Sequence, residues 1–381
     1  MTKLQQLLND LCPDGVEYKK IKDVYTRLRG TPITATKMKE IENPKGDIKI
    51  FAGGKTVINA YEKDIPNANI TKVPAVLVQS RGVIDAIYFD KPFTFKNEMW
   101  AYTADNKISI KFLYYVLKNN MAYFREKASG MGSLPQISLT VTEDFAIPVP
   151  PLEVQAEIVR ILDTFTELQT KLEEELTARQ KQYEYYRDSL LNFNHKIGGV
   201  QWVKLEDIAI YKTGSKPSEI LDIYENGMFE YINAGTSNSG YTYNFNCLGD
   251  TITTPSRGQG GIGYVGYQAN NFWLGALCYK IQAKDKNIIL NKYLYYYLSN
   301  NNNEILMLKK EGGVPAVNGS DLGKIQIPVP PLDVQQRIVD VLDNFEKICT
   351  DLKIGLPAEI NARQKQYEYY RDKLLTFERK N

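Results

Sequence analysis

The chain has 381 residues, 43% hydrophobic and 24% charged. That is more than one compact core usually holds, in an ordinary globular composition, so a small disulfide scaffold and whole-chain disorder are both excluded. Net charge is only +2, from 47 basic and 45 acidic residues, and no stretch approaches the roughly 18 uncharged apolar residues of a membrane span, so no membrane partner and a cytoplasmic location are expected.

In chain order, residues 1–146 form a first globular part of mixed α/β type, with short strands at Ala75–Val78 and Ala86–Phe89 and a helix around Ile110–Asn119. Residues 147–198 hold a first long helix region, in which the run Ile147-Pro-Val-Pro-Pro-Leu152 leads into a helix at no hydrogen-bond cost. Its apolar stripe falls at Ile158, Ile161, Phe165, Leu168 and Leu172 and resumes at Tyr183 and Tyr186, the spacing of a helix that pairs with another helix. Unbroken, it is about 60 Å long. Residues 199–326 form a second globular part, with strands at Tyr264–Tyr267 and Leu277–Ile281 and a helix at Asn291–Ser299. Residues 327–381 hold a second long helix region with the stripe Ile338, Val341, Phe345, Ile348 and Leu352, then Tyr367 and Tyr370. Gly355-Leu-Pro357 interrupts it, and since a helix-interior proline costs about 3 kcal/mol, a kink or break is expected there.

The whole chain is thus one unit written twice. Ile147–Leu152 recurs as Ile327–Leu332, and the eleven residues Ala178–Asp188 recur identically as Ala362–Asp372. Weaker echoes keep the same order: Gly15-Val-Glu-Tyr18 with Gly199-Val-Gln-Trp202, Ser80-Arg-Gly82 with Ser256-Arg-Gly258, and Gly132-x-x-Pro135 with Gly312-x-x-Pro315. The simplest partner for each long helix is the other copy's helix, because both present the same apolar face.

The inventory of reactive groups is thin. One histidine, His195, and four scattered cysteines, Cys12, Cys247, Cys278 and Cys349, give no metal-ligand spacing and no histidine triad, so neither a metal site nor a catalytic residue is expected. Gly258–Gly263 fits the G-x-G-x-x-G pattern but is followed by a strand-like segment rather than a helix, so it does not read as a nucleotide loop. Charge placement is more informative. Residues 1–146 hold 21 basic against 16 acidic residues, whereas 147–198 carry −3 and the other two segments are neutral. Phosphate neutralisation therefore leans on the first globular part, and the second offers Thr236, Asn238 and Gln259 for hydrogen bonds to base edges or backbone. In Ser80-Arg81-Gly82 and Ser256-Arg257-Gly258, an arginine beside glycine after a strand permits close approach and a bidentate contact to phosphate or guanine; the alternative is a turn with a surface ion pair. Lys55 and Lys72 are further candidates of the same kind.

A variable α/β part, the IPVPPL run and a long helix with a tyrosine-rich end, all repeated, resemble the specificity subunit of type I restriction-modification systems over essentially the full chain. The resemblance implies two target recognition domains reading the halves of a split, asymmetric site in double-stranded DNA, carried on two long helices that form an antiparallel coiled coil with a pseudo-two-fold axis. It further implies that the helices dock two methyltransferase subunits, that restriction subunits join these, and that S-adenosylmethionine and ATP bind on those partners and not on this noncatalytic chain. The Asn/Asp-Pro-Pro-aromatic motif of amino-methyltransferases is missing, in keeping with that expectation. With Tyr183, Tyr186, Tyr367 and Tyr370 turned to the partner helix, Gln180, Tyr185, Arg187 and their repeats Gln364, Tyr369 and Arg371 face outward as the methyltransferase surface. A coiled-coil scaffold with heads for a non-DNA ligand, or a DNA-modifying enzyme with its own active site, are the alternatives; a salt-dependent gel shift and a methyltransferase motif, respectively, discriminate them.

Overall fold

Residues 2–54, 56–129, 134–193, 200–310 and 313–380 are described by a computed structural model. They divide into two compact units, Met1–Leu172 with Ile360–Asn381, and Glu173–Glu359. Lys55, His195 and the two loop glycines Gly132 and Gly312 lie outside the described residues.

The echoed segments are ladder partners. In the first unit Tyr18–Lys20 pairs antiparallel with Ala146–Pro148, setting Lys19 opposite the fully buried Ile147. In the second, Gln201–Lys204 pairs with Gln326–Val329, setting Val203 opposite Ile327. Each head thereby begins and ends on one two-stranded ribbon. A four-stranded antiparallel sheet follows, in the order Thr26–Leu28, Trp100–Thr103, Ala75–Gln79, Asp85–Phe89, with its counterpart Ala209–Thr213, Cys278–Ala283, Thr251–Pro255, Gly266–Gln268. A three-stranded mixed sheet completes the head, ordered Val57–Ala60, Ile48–Phe51, Phe93–Phe95 in one unit and Tyr241–Thr242, Phe229–Ile232, Trp273–Leu274 in the other.

Burial explains why Ala75–Gln79 reads as an unbroken apolar run. Successive side chains point to opposite faces of a strand. Val76 and Val78 join the core under the helix Lys107–Asn119, and Ala75 and Leu77 join Phe51, Phe93 and Phe95 on the other side. The second head keeps the helix-side residue Ile252 but has buried Thr251 and Thr253 on the other face. Additional short helices, such as Lys3–Leu11 and Ala35–Ile41, accompany the single helix expected in each head. They are set by local capping, with Thr2 and Thr34 accepting from Gln5 N and Lys37 N, and are too short to show a clear period.

The first long helix runs unbroken over the 40 residues Leu152–Leu191; the second stops at Thr350 and restarts as Leu356–Leu374. Pro357 falls in the opening turn of the restarted helix, where its missing N–H costs no bond. Leu352, expected on the helix-pairing stripe, sits in the interruption and is 80% exposed, which corrects that assignment. Ile158 and Ile338 are corrected too: they are buried in the head cores, because the first turns of each long helix pack under their own head. Ile161 is half-buried against the same core, and Leu168, Val341 and Ile348 are at the exposed margin of the stripe, with Leu172 half-buried.

The tyrosine-rich ends find the other copy's helix. In the first unit Phe165 stacks on Tyr370 at 5.6 Å and lies 6.3 Å from Tyr367; in the second Phe345 stacks on Tyr186 at 5.5 Å and lies 6.4 Å from Tyr183. The same pair of repeat positions meets twice with the copies exchanged, as an antiparallel pairing requires. A further tie closes the first unit. Val16 N donates to Glu378 O at 2.8 Å, Lys380 N donates to Val16 O at 3.0 Å, and the Arg379 guanidinium lies 4.5 Å from the Tyr18 ring centre. Gly15 makes room for it: at φ +90° a Cβ there would stand 2.7 Å from Glu378 O.

One glutamine in each repeat explains why the recurring motif extends past the prolines. Gln155 Nε2 donates to Pro150 O at 2.7 Å, and Gln335 Nε2 donates to Pro330 O at 2.8 Å, so the side chain reaches back over the helix start to a buried carbonyl of the proline lead-in. Gln335 also accepts from Leu290 N at 2.9 Å and donates to Ile288 O at 2.9 Å, fastening the head to the helix. Gln335→Ala is expected to destabilise the protein by about 1–3 kcal/mol, because it strands buried backbone groups; chemical denaturation reads this, and a loss under about 0.5 kcal/mol would mean the backbone finds other partners.

Candidate nucleic-acid interface

Each Ser-Arg-Gly tripeptide follows the central strand of its four-stranded sheet and is built into a three-segment turn. Ser80 is buried, its hydroxyl donating to Glu98 O, and its carbonyl accepts from Ile137 N at 2.9 Å. Gly82, at φ +79°, donates from its N–H to Pro135 O at 2.9 Å. The second head repeats the assembly: Ser256 O accepts from Val317 N at 2.9 Å and Gly258 N donates to Pro315 O at 3.1 Å, with Gly258 at φ +132°. The two loosely echoed motifs, Ser-Arg-Gly and the loop ending in Pro135 or Pro315, are therefore hydrogen-bonded to each other in both heads. Positive φ restricts the third position to glycine, and this backbone arrangement accounts for its recurrence.

The turn turns its serine in and its arginine out. Ser80 and Ser256, expected with the rest of their tripeptides at the DNA, are corrected from contacts to supports: both are buried and hold the turn from beneath. Arg81 and Arg257 are exposed, and neither makes a side-chain hydrogen bond or ion pair within the described residues. A surface ion pair, the alternative explanation for these arginines, is absent there. Gln259 is exposed beside Gly258.

Around Arg81 the first head adds groups that sequence reasoning missed. Gly54 N donates to Arg81 O at 3.1 Å, Gln79 Nε2 donates to Gly54 O at 2.7 Å, and Gly53 N donates to Glu98 Oε1 at 2.8 Å. Lys96 pairs with Glu98 at 2.8 Å. Burial alone would raise the Glu98 carboxyl, but hydrogen bonds from Lys96 and Gly53 and the charges of Lys96 and Arg81 hold it below its ordinary value. An ionised Glu98 thus fixes the Gly53-Gly54 loop next to Arg81. Glu98 carries no local motif; it is brought to the turn by strand pairing across 18 residues of sequence. Lys72 is exposed but paired with Glu62 at 3.2 Å. Thr236 is exposed and Asn238 half-buried, and both line a cavity beside Pro255 in the second head.

On the helices, Tyr185 and Tyr369 are 69% and 62% exposed and Gln180 is exposed. Gln364 is half-buried and donates to Glu368 at 2.5 Å. Arg371 does not face outward: its Nε donates to Asn119 at 2.8 Å and its guanidinium covers the Tyr367 ring, because the end of the head helix lies against it. Arg187 is similarly half-buried over the Tyr183 ring and bonded to Asp188, so both arginines are corrected from free outward groups.

Elsewhere Gly258–Gly263 connects two strands and opens no helix. Cys247, Cys278 and Cys349 are buried and Cys12 half-buried, and burial raises all four thiols above their ordinary range. Among the described residues no group of three or more His, Cys, Asp or Glu is placed to hold a metal, and no helix is long and apolar enough to cross a membrane.

Comparison with known proteins adds an independent line. The family model for the type I restriction modification DNA specificity domain matches twice, over residues 13–180 and 198–362. The chain is 32% identical over 359 residues to the type I restriction enzyme EcoR124I/EcoR124II specificity subunit of Escherichia coli, covering 87% of each chain. It is 33% identical over 309 residues to a putative type I restriction enzyme specificity subunit of Haemophilus influenzae, covering 75% of this chain and 77% of that one. In fold it is similar to the crystal structure of a type I restriction-modification S subunit from M. genitalium, with a TM-score of 0.66 at 20% identity over 99% of both chains.

Proposed function

As the chain belongs to the family of type I restriction-modification DNA specificity proteins, we propose that its two heads each read one half of a split, asymmetric site in double-stranded DNA. The observation that carries this reading is the turn built twice, once per head, each presenting an exposed arginine that makes no side-chain hydrogen bond or ion pair within the described residues. Such a guanidinium suits the paired acceptors of a phosphate or of guanine O6 and N7. Two diverged heads on one duplicated frame suit two different half-sites, and a pseudo-two-fold repeat suits their inverted orientation.

The long helices dock two methyltransferase subunits in this reading, and restriction subunits join through them. Methylation and cleavage then belong to those partners, together with S-adenosylmethionine and ATP, while this chain supplies address and position. Tyr185 and Tyr369 are the better docking candidates, since Arg187 and Arg371 are engaged within their own units. The decisive test is to map methylated adenines in a host with and without this chain and its methyltransferase. A split sequence with two unlike halves is expected; modification of a continuous site would overturn the assignment.

Arg81→Ala and Arg257→Ala should each weaken specific binding by about 1–3 kcal/mol if the arginine reads a base, or flatten the salt dependence by about one ion if it holds phosphate. Titrations of the assembled complex at several salt concentrations separate the two, and unchanged affinity for both variants would remove the turns from the interface. Tyr185→Asp combined with Tyr369→Asp should reduce co-purification of the methyltransferase without lowering the thermal unfolding midpoint. Undiminished co-purification would place docking elsewhere on the helices.

A further inference from the structure

The two heads can be aligned in register at the central strand of their three-stranded sheets. A Cβ at Gly30 would stand 2.2 Å from Phe95 O, and one at Gly214 would stand 2.0 Å from Leu274 O, so Phe95 and Leu274 are equivalent. Phe95 pairs with Phe51 and Leu274 with Ile232. Two residues earlier on the same strands stand Lys49 and Glu230. Where the apolar framework is kept, the charge is reversed.

Their surroundings differ in the same sense. Counting back from Ser80 and Ser256, Ala75 corresponds to Thr251 and Leu77 to Thr253, and their ladder partners Phe89 and Gln268 correspond in turn. In the first head Phe89 fills the space between the sheets, packed edge-on against Phe51 at 5.2 Å and Phe93 at 5.6 Å, and the Lys49 ammonium lies 5.5 Å from its ring centre. In the second head the exchange of Leu77 for Thr253 and Phe89 for Gln268 leaves a polar cavity of about 220 Å³, lined by Glu230, Thr236, Asn238, Thr253, Tyr264 and Gln268 and bounded by Pro255 at the foot of the Arg257 turn. Gln268 Nε2 is occupied by Thr253 Oγ1 at 3.4 Å. Glu230 is exposed, no cation lines the cavity, and the carboxylate has no partner among the described residues. Lys49 likewise has no ion pair there.

We propose that Lys49 and Glu230, at one register position of the two heads, are specificity-determining residues of opposite sense: Lys49 reads a base edge that offers acceptors, guanine first, and Glu230 reads an exocyclic amino group, cytosine N4 first. The inference rests on the reading that the heads bind DNA. An ammonium has donors only and an ionised carboxylate acceptors only, so each position accepts one half of the major-groove code and rejects the other. Rejection is as much a part of this as attraction, because a carboxylate facing guanine O6 leaves both groups unpaired.

The test uses the full chain assembled with its methyltransferase, with modified sites mapped by sequencing. Glu230→Gln, which keeps the side-chain shape, should lower the base preference at one position of the second half-site at least tenfold. Glu230→Lys should shift that preference towards guanine. Both should leave the first half-site as it is. Lys49→Met and Lys49→Glu should do the converse in the first half-site, and co-purification and unfolding midpoints confirm folded complexes. Intact modification by the unaltered complex with base preferences unchanged in the Glu230 and Lys49 variants overturns the proposal alone. A uniform loss over all sequences does so as well, since it marks a general electrostatic role. An unaltered complex that modifies no split site overturns the DNA reading itself, and the proposal with it.

Discussion

Neither long helix can bury its own aromatic half. The opening turns of each are buried under a head, through Val154, Ile158 and Leu162 in one copy and Ile338, Val339 and Leu342 in the other. Beyond those turns the head ends and the stripe continues, leaving Phe165 or Phe345 and the tyrosines of the helix end with apolar faces that only another helix can cover. The chain resolves this by exchange, each unit completing itself with the tyrosines of the other copy's repeat. Stacked aromatic pairs are worth about 0.5–1.5 kcal/mol beyond the area they bury. The larger effect is on specificity of assembly, because the Phe-to-Tyr match works only between a helix beginning and a helix end.

Beneath this exchange the heads are fixed to their helices by a repeated polar cluster. Lys111 pairs with Asp163 at 2.7 Å and Tyr115 donates to the same carboxylate at 2.5 Å; in the second unit Tyr296 donates to Asp343 and to Glu346, and Lys292 lies 4.3 Å from the Tyr267 ring centre. Burial is the first cause of the raised Tyr115 and Tyr296 hydroxyls, followed by the carboxylates that accept from them. The phenols therefore stay protonated donors at neutral pH. Head and helix are thereby cross-linked within each unit, and the element that carries a turn such as Ser80–Gly82 is braced from the helix side.

Much of this was legible in the residues because the sequence is its own alignment. Duplication exposed the tyrosine-rich helix ends and the Ser-Arg-Gly turns, since segments held in place by backbone geometry stay alike in two copies while their surroundings diverge, whereas the break near Pro357, present in one copy only, was legible from the proline itself. The period of the stripe gives the right partner for Phe165, Phe345 and the tyrosines, but not for Ile158 and Ile338. Ile158 and Phe165 lie seven residues apart on one helix face, and only the extent of the head decides that the first meets a core and the second another helix. Arg371 went astray for a related reason: helical periodicity gives direction around the axis, but Asn119 approaches from the head, a neighbour that periodicity cannot supply. Glu98, Lys49 and Glu230 were invisible because their meaning lies in register across strands far apart in sequence.

The strap between Val16 and Glu378–Lys380 bears on the order in which the molecule is made. Glu173–Glu359 is a single stretch, complete once its last residue has left the ribosome, whereas the unit that starts first waits for Ile360–Asn381. Its ends are joined across some 360 residues, yet loop-closure entropy grows only as the logarithm of length, so a folded second unit in between shortens the effective search at little entropic cost. Of the two units, the one whose residues come first in the sequence is thus the one completed last. During that interval Phe165 and the backbone of Val16 lack the partners that Ile360–Asn381 supplies, the period in which a nascent chain is most open to chaperones, to proteolysis and to pairing with a second nascent copy.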